Sequence, residues 1–280
     1  MQRLAFSTNA FKQHSLDDAL ISIAAAGYRA VEIMADAPHI NPQALDATAR
    51  RALMRRIAEL NLSVSNVNAF TCFIAGDTYH PTWIEDDDSL RQLRIDHTSA
   101  SIELAAELGS GTISLQPGGP LIGTTLSRRE AGERFALGLQ RVLPTARRHN
   151  ITLGIEPEPG LFIQSASEYL EFKNQFFRDE PLVRMNCDIG HLFCVGDDPA
   201  DVIRSMRSEV AHVHLEDIGK NRVHQHLAPG KGAIDFKPIF DALQATDYSG
   251  CVTVELYPYE ALAEKVAADA FHFLQPFVQP

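Results

Sequence analysis

Four of the 11 histidines fall within 15 residues: His212 and His214 in AHVHLEDIGK, and His224 and His226 in NRVHQHLAPGKG. A spacing of two puts both rings of a pair on one face of an extended segment, where a neutral imidazole serves as a metal ligand or a hydrogen-bonding group. Carboxylates of a compatible kind stand elsewhere in the chain: Glu156 in GIEPEP, Asp188 with His191 in CDIGH, and Glu255 in TVELY. Glu156, Asp188, Glu255 and His214 together make a hard, oxygen-rich set. It suits Mn²⁺, Mg²⁺ or Co²⁺ in roughly octahedral geometry, with Zn²⁺ as a further option. Such a site leaves positions open for two neighbouring oxygens of a hydroxy-ketone, so that a proton can leave the adjacent carbon as an enediolate forms. Glu156 and Glu255 are the candidate acid/base pair, one taking a proton and the other returning one. Return to the opposite face of the same carbon is epimerisation, and return to the neighbouring carbon is isomerisation. Expulsion of a β-hydroxyl instead makes the same site a dehydratase or lyase, with His191 or His226 as the acid at the leaving group.

This chemistry requires four chain segments to converge, and the pattern of the chain supplies them. Eight β-type runs, at 4–11, 30–35, 62–70, 112–117, 152–157, 183–190, 210–217 and 251–257, alternate with segments of helical period. Leu16, Ala19, Leu20 and Ile23 mark the first such helix, and Phe135, Leu139, Val142 and Leu143 the fourth. Ser15 with Asp18, Ser127 with Glu130 and Ser165 with Glu168 have capping-box spacing, while Gly27 and Gly109 stand where helices should stop. Eight strand-helix units without a linker rich in Pro, Gly or Ser predict an α/β fold, a single (β/α)8 TIM barrel spanning residues 1–280. Its active site belongs at the C-terminal ends of the strands, and Glu156, Asp188, His214 and Glu255 close the fifth to eighth runs in turn. Pro157 ends the fifth run directly after Glu156.

The residue order Glu, Asp-x-x-His, His, Glu over the last four strands resembles the xylose-isomerase-like barrel superfamily, which holds ketose 3-epimerases, sugar-phosphate epimerases, inosose dehydratases and apurinic endonucleases. The resemblance runs from LAFSTNAF to CVTVELYPYE. It implies one divalent metal on Glu156, Asp188, His214 and Glu255, the two glutamates acting also as acid and base, and His191 on substrate oxygens. It also implies a homo-oligomer, as dimers and tetramers are common among its members. The chain departs from the ketose epimerases at Phe162, where they carry a second acid, and offers only Lys220 and Arg222 near the place of an Arg. In the endonuclease branch, the positions of His191, His224 and His226 bind a separate zinc. Asn68 and Gln116 stand where that branch has two further histidines. His191, His224 and His226 are therefore expected to hold a second ion or the substrate's hydroxyls.

Bulk properties narrow the partners. With 25 Lys and Arg against 36 Asp and Glu, the formal charge of −11 disfavours polyanions, so DNA repair is a remote alternative. No apolar run reaches membrane-spanning length and no leader is evident, so a cytoplasmic protein with a carbohydrate or cyclitol substrate is expected. Cys72, Cys187, Cys194 and Cys251 lack paired spacing and read as buried thiols. Asn68, Gln116 and Glu32 are expected to line the pocket, and Lys231, between two glycines, to reach an anionic substrate group. His212 should lie one layer deeper in the barrel than His214. The segment 71–88, with the single tryptophan Trp83, is expected as a lid or binding loop.

Overall fold

The aliphatic runs become eight parallel strands in the computed structural model, which describes residues 3–278. They are β1 (Arg3–Ser7), β2 (Ala30–Met34), β3 (Ser63–Asn68), β4 (Thr112–Leu115), β5 (Thr152–Ile155), β6 (Val183–Asp188), β7 (Val210–Leu215) and β8 (Cys251–Val254). They close in sequence order into one barrel, β8 pairing with β1. Each strand is shorter than its run in the sequence, because the polar ends leave the ladder and turn into loops. The helices are α1 (Leu16–Ala25), α2 (Ala47–Glu59), α3 (Asp88–Glu107), α4 (Arg128–His149), α5 (Ala166–Phe176), α6 (Ile189–Val195), α7 (Pro199–Ser205), α8 (Phe236–Ala245) and α9 (Ala263–Val278). None of them is long and apolar enough to cross a membrane.

Local sequence sets these boundaries. Ser15, Ser127 and Ser165 accept from the backbone N–H three residues on, and at Ser127 the Glu130 carboxylate returns the bond, completing the box. Outward residues of the strands, such as Val31 and Ile33, pack under the helices, while the alternate positions point inward. Inside, the usual aliphatic filling gives way to a polar layer. Asn66 Nδ2 donates to Glu32 Oε2 at 2.8 Å and lies 2.9 Å from Ser114 Oγ, and Ser65 and Thr253 hydroxyls meet at 3.2 Å. The site above therefore rests on a hydrogen-bonded floor.

The loop from β3 to α3 is held from two sides. Arg94 of α3 is fully buried and donates to the carbonyls of Phe70 at 2.9 Å, Ala69 at 3.2 Å and Pro81 at 2.8 Å, so one guanidinium fastens both ends of the loop. Asp36 accepts from Thr71 Oγ1 and from the N–H groups of Phe73 and Ile74. Trp83, expected on a lid, is instead core: its ring stands 5.6 Å from that of Phe135 and fills the space beside Gly138, where a Cβ would come within 2.7 Å of it. Only the earlier part of the loop, with Phe73, Thr78 and Tyr79, faces the barrel mouth. Asp87, from the acidic run before α3, caps that helix.

Candidate active site

Asp188 shows how the local fold aims a ligand. It ends β6 and is also the N-cap of α6, so Oδ1 accepts from the His191 N–H at 2.7 Å. Oδ2 is buried with no hydrogen-bond partner. The other members are oriented in the same manner. Glu156 Oε2 accepts from Asn186 Nδ2 at 2.8 Å, and Glu255 Oε1 accepts from Asn9 at 2.8 Å and Asn68 at 3.1 Å. Their remaining oxygens turn toward His214 Nδ1, with Glu156 Oε1 at 3.2 Å, Glu255 Oε2 at 3.8 Å and Asp188 Oδ2 at 3.9 Å. One ligand atom from each of Glu156, Asp188, His214 and Glu255 lies within 4.8 Å of every other, and all four residues are buried.

The opposite edge of the His214 ring is taken by Glu32, whose Oε2 lies 2.6 Å from Nε2. That contact fixes the ring and turns its Nδ1 edge toward the three other carboxylates. The surrounding charge is strongly negative. Burial works against a proton on His214, but Glu32, Glu156 and Glu255 outweigh it and hold the ring's pKa well above its ordinary value. Burial, joined by the charges of Glu156, Glu32 and Asp188, pushes the Glu255 carboxyl well up, against the opposing pull of His214. Three buried carboxylates converging on one imidazole, with an Asp188 oxygen left unpartnered, favour positive charge at the centre, and the hard donor set fits a divalent cation. Replacing Glu32 by Gln is expected to weaken metal affinity about 10- to 100-fold with the four ligands intact. Chelator competition measures it, and an unchanged affinity removes Glu32 from this role.

Above the ligands lies a cavity of about 300 Å³, lined by Glu156, Glu255, His191, His224 and Asn68 among others. His191 Nδ1 meets the Pro157 carbonyl at 3.1 Å and His226 Nδ1 the Glu255 carbonyl at 3.0 Å, which pins both rings and leaves His191 Nε2 without a partner. His224 Nε2 and His226 Nε2 are 3.1 Å apart, and the three rings bring ligand atoms within 4.8 Å of one another. Burial pushes His224 down to about 4 and His226 down to about 3, so both are neutral at physiological pH. His212 sits one layer below His214, 3.5 Å from Glu32.

The structure distributes the remaining candidates unevenly. Asn68 is in the cavity wall. Gln116 is buried outside it, its Nε2 donating to the Tyr79 carbonyl at 2.7 Å, so it supports the loop from β3 and lies outside the lining. Lys231 is exposed and away from the cavity, which corrects the expectation of contact with an anionic substrate group. Arg222 lies over the Phe193 ring at 4.6 Å, and neither it nor Lys220 lines the cavity. Phe162 packs into the core against Phe135 and Phe172.

Two further acids, outside the four-residue cluster, have a place at the site. Glu158 stands two residues past Glu156, beyond Pro157; its buried carboxyl lines the cavity and accepts from Tyr79 Oη at 2.9 Å. Burial pushes it up to about 7. Glu216 lies under the histidines, 4.0 Å from His226 Nε2, and burial followed by the nearby Asp188 charge drives its carboxyl well up. Gly190 makes room for it, since a Cβ there would come within 1.7 Å of Glu216 Oε1. The available signal was a charged residue in an otherwise buried strand or beside a strand-ending proline.

Comparison with known proteins agrees with the barrel fold. The family model described as xylose isomerase-like TIM barrel matches residues 20–277. An inosose dehydratase of Clostridium perfringens is 28% identical over 214 residues, covering 69% of this chain and 69% of its own length. The solved structure of IolI protein with a binding zinc atom superposes with a TM-score of 0.79 at 17% identity, covering 99% of this chain and 98% of that one. D-psicose 3-epimerase from Clostridium cellulolyticum H10, solved with D-tagatose, gives a TM-score of 0.79 at 16% identity with 100% of both chains covered. The chain belongs to the xylose isomerase-like TIM barrel family.

Proposed function

We propose that this chain is a divalent-metal-dependent isomerase or epimerase of a sugar, sugar phosphate or cyclitol, working by proton abstraction next to a carbonyl. The observation that carries the reading is the placement of Glu156 and Glu255: both line the cavity and both belong to the four-residue cluster within 4.8 Å. A divalent ion bound by Glu156, Asp188, His214 and Glu255 supplies Lewis-acid polarisation of the substrate carbonyl, with Mn²⁺, Co²⁺ or Mg²⁺ preferred and Zn²⁺ accepted by the same donors.

The side chains divide the remaining work. Asn186 holds Glu156 and the pair Asn9 and Asn68 holds Glu255, so each carboxylate meets the substrate from a fixed direction. One glutamate takes the C–H proton, the bonding pair moves into the carbon–carbon bond as the carbonyl oxygen gains charge, and the other glutamate returns a proton to carbon. His224 and His226 present neutral imidazoles to substrate hydroxyls, and His191 adds a ring that the charges of Asp188, Glu158 and Glu156 favour as a donor; the alternative occupant of the trio is a second ion.

A specific feature favours a second reading, a dehydratase. Glu158 lines the same cavity as a carboxyl that burial pushes up to about 7. It is placed to protonate a departing β-hydroxyl after the same abstraction, and the 28% identity to an inosose dehydratase supports that outcome.

One experiment tests both. The metal-loaded enzyme is incubated with ketoses, 3-oxo-glycosides and inososes in D₂O and followed by NMR. Deuterium at the carbon beside the carbonyl, with a new epimer or isomer, is the expected result; loss of water or aglycone selects the lyase, and no exchange in any compound overturns the shared proton abstraction.

A further inference from the structure

We propose that the cavity takes an uncharged polyhydroxylated ring or chain and rejects its phosphate ester. The inference deepens the functional reading above by naming the substrate class of that site.

Its first support is the charge of the cavity wall. Glu156, Glu158 and Glu255 line it, and Lys12 is the one Lys or Arg among the lining residues. That lysine is already committed, with Nζ 2.8 Å from Glu260 Oε1 and lying over the Phe73 and Tyr257 rings at 5.7 and 5.9 Å. A dianionic phosphate entering here would find the one lysine of the wall already paired, whereas hydroxyls find acceptors and donors on every side.

The second support is independent and lies in the loop after β7. Barrels commonly bind phosphate with backbone N–H groups from the loops after strands seven and eight. Here the glycine-rich turn around Lys231 forms such a nest, and the chain fills it with its own carboxylate. Asp217 is buried, its Oδ2 accepting from the N–H of Gly230 at 3.0 Å and Gly232 at 2.7 Å, and its Oδ1 from Ile218 at 2.9 Å and Ile234 at 3.1 Å. A Cβ at position 232 would come within 2.3 Å of Asp217 Oδ1, so the glycine serves this internal anion. Four donors that could cradle a phosphate are spent inside the fold, and the lysine between the glycines points to solvent.

The test uses a matched pair that cannot react. D-glucitol and D-glucitol 6-phosphate are titrated into the purified full-length protein by calorimetry at physiological ionic strength. The unesterified polyol is expected to bind at least about tenfold more tightly, which corresponds to about 1.4 kcal/mol. Equal or tighter binding of the phosphate, or no binding of the polyol, overturns the inference. Glu260→Gln releases Lys12 and is expected to narrow the preference about two- to fivefold while leaving glucitol affinity unchanged. An unaltered preference overturns the assignment of Lys12 as neutralised. Polyol binding without deuterium exchange in any ketose removes the catalytic reading and keeps this one. Equal exchange into a ketose and its phosphate does the reverse.

Discussion

Substituting Glu156 with Gln should lower turnover by about two to four orders of magnitude while the protein stays folded. Gln keeps the volume of the side chain and can still present an oxygen to Asn186 Nδ2, which now meets Glu156 Oε2 at 2.8 Å. What it removes is the capacity to take a proton and the negative charge beside His214 Nδ1. Steady-state kinetics on the substrate found in the D₂O screen measures the loss, and a thermal melt within a few degrees of the wild type excludes unfolding as its cause. Glu255→Gln makes the complementary measurement. In an epimerase with one glutamate on each face, the two variants lose exchange of opposite substrate epimers. Turnover near the wild-type level in either variant removes that glutamate from the acid/base pair.

Chelation is expected to stop the reaction completely and to lower the melting temperature, with both restored by metal. If free metal stands about 100- to 1,000-fold above its dissociation constant, binding to the folded state alone contributes about 3 to 4 kcal/mol. For a chain of this size that is a shift of roughly 10 °C. The physical reason is the crowding of Glu156, Asp188 and Glu255 around one imidazole, with Asp188 Oδ2 left without a partner. Full activity in the chelated protein would eliminate the metal reading. Elemental analysis of the reloaded protein separates the two roles of the histidine trio: one ion per chain assigns His191, His224 and His226 to substrate, and two assign them to a second metal.

The barrel was legible because eight short β-type runs, each carrying apolar residues at alternate positions, recur between segments of helical period with capping signals. Its rim was legible for a related reason: Glu156, Asp188, His214 and Glu255 stand at the ends of such runs, where an acid has no business in a core. The interior was harder to read. Glu32 meets His214 across 182 residues of sequence, a contact fixed only when β2 and β7 face each other inside a closed barrel. Glu158 follows Glu156 by two residues past a proline, and nothing local tells which way its carboxyl turns. Lys231 in Gly-Lys-Gly looked like an anion loop, and only the fold reveals that Asp217 had taken the backbone donors. In each case the missing information was a pairing between distant segments.

The anchoring of the β3 loop bears on how this family changes its substrates. Arg94 and Asp36 hold that loop almost wholly through backbone groups, the carbonyls of residues 69, 70 and 81 and the N–H groups of residues 73 and 74. Main-chain capture is indifferent to side-chain identity. Phe73, Thr78 and Tyr79, which form the cavity wall on that side, can therefore be exchanged without loosening the scaffold that carries them. A few substitutions in that one segment would therefore reshape the cavity wall while Glu156 and Glu255, after β5 and β8, keep their places.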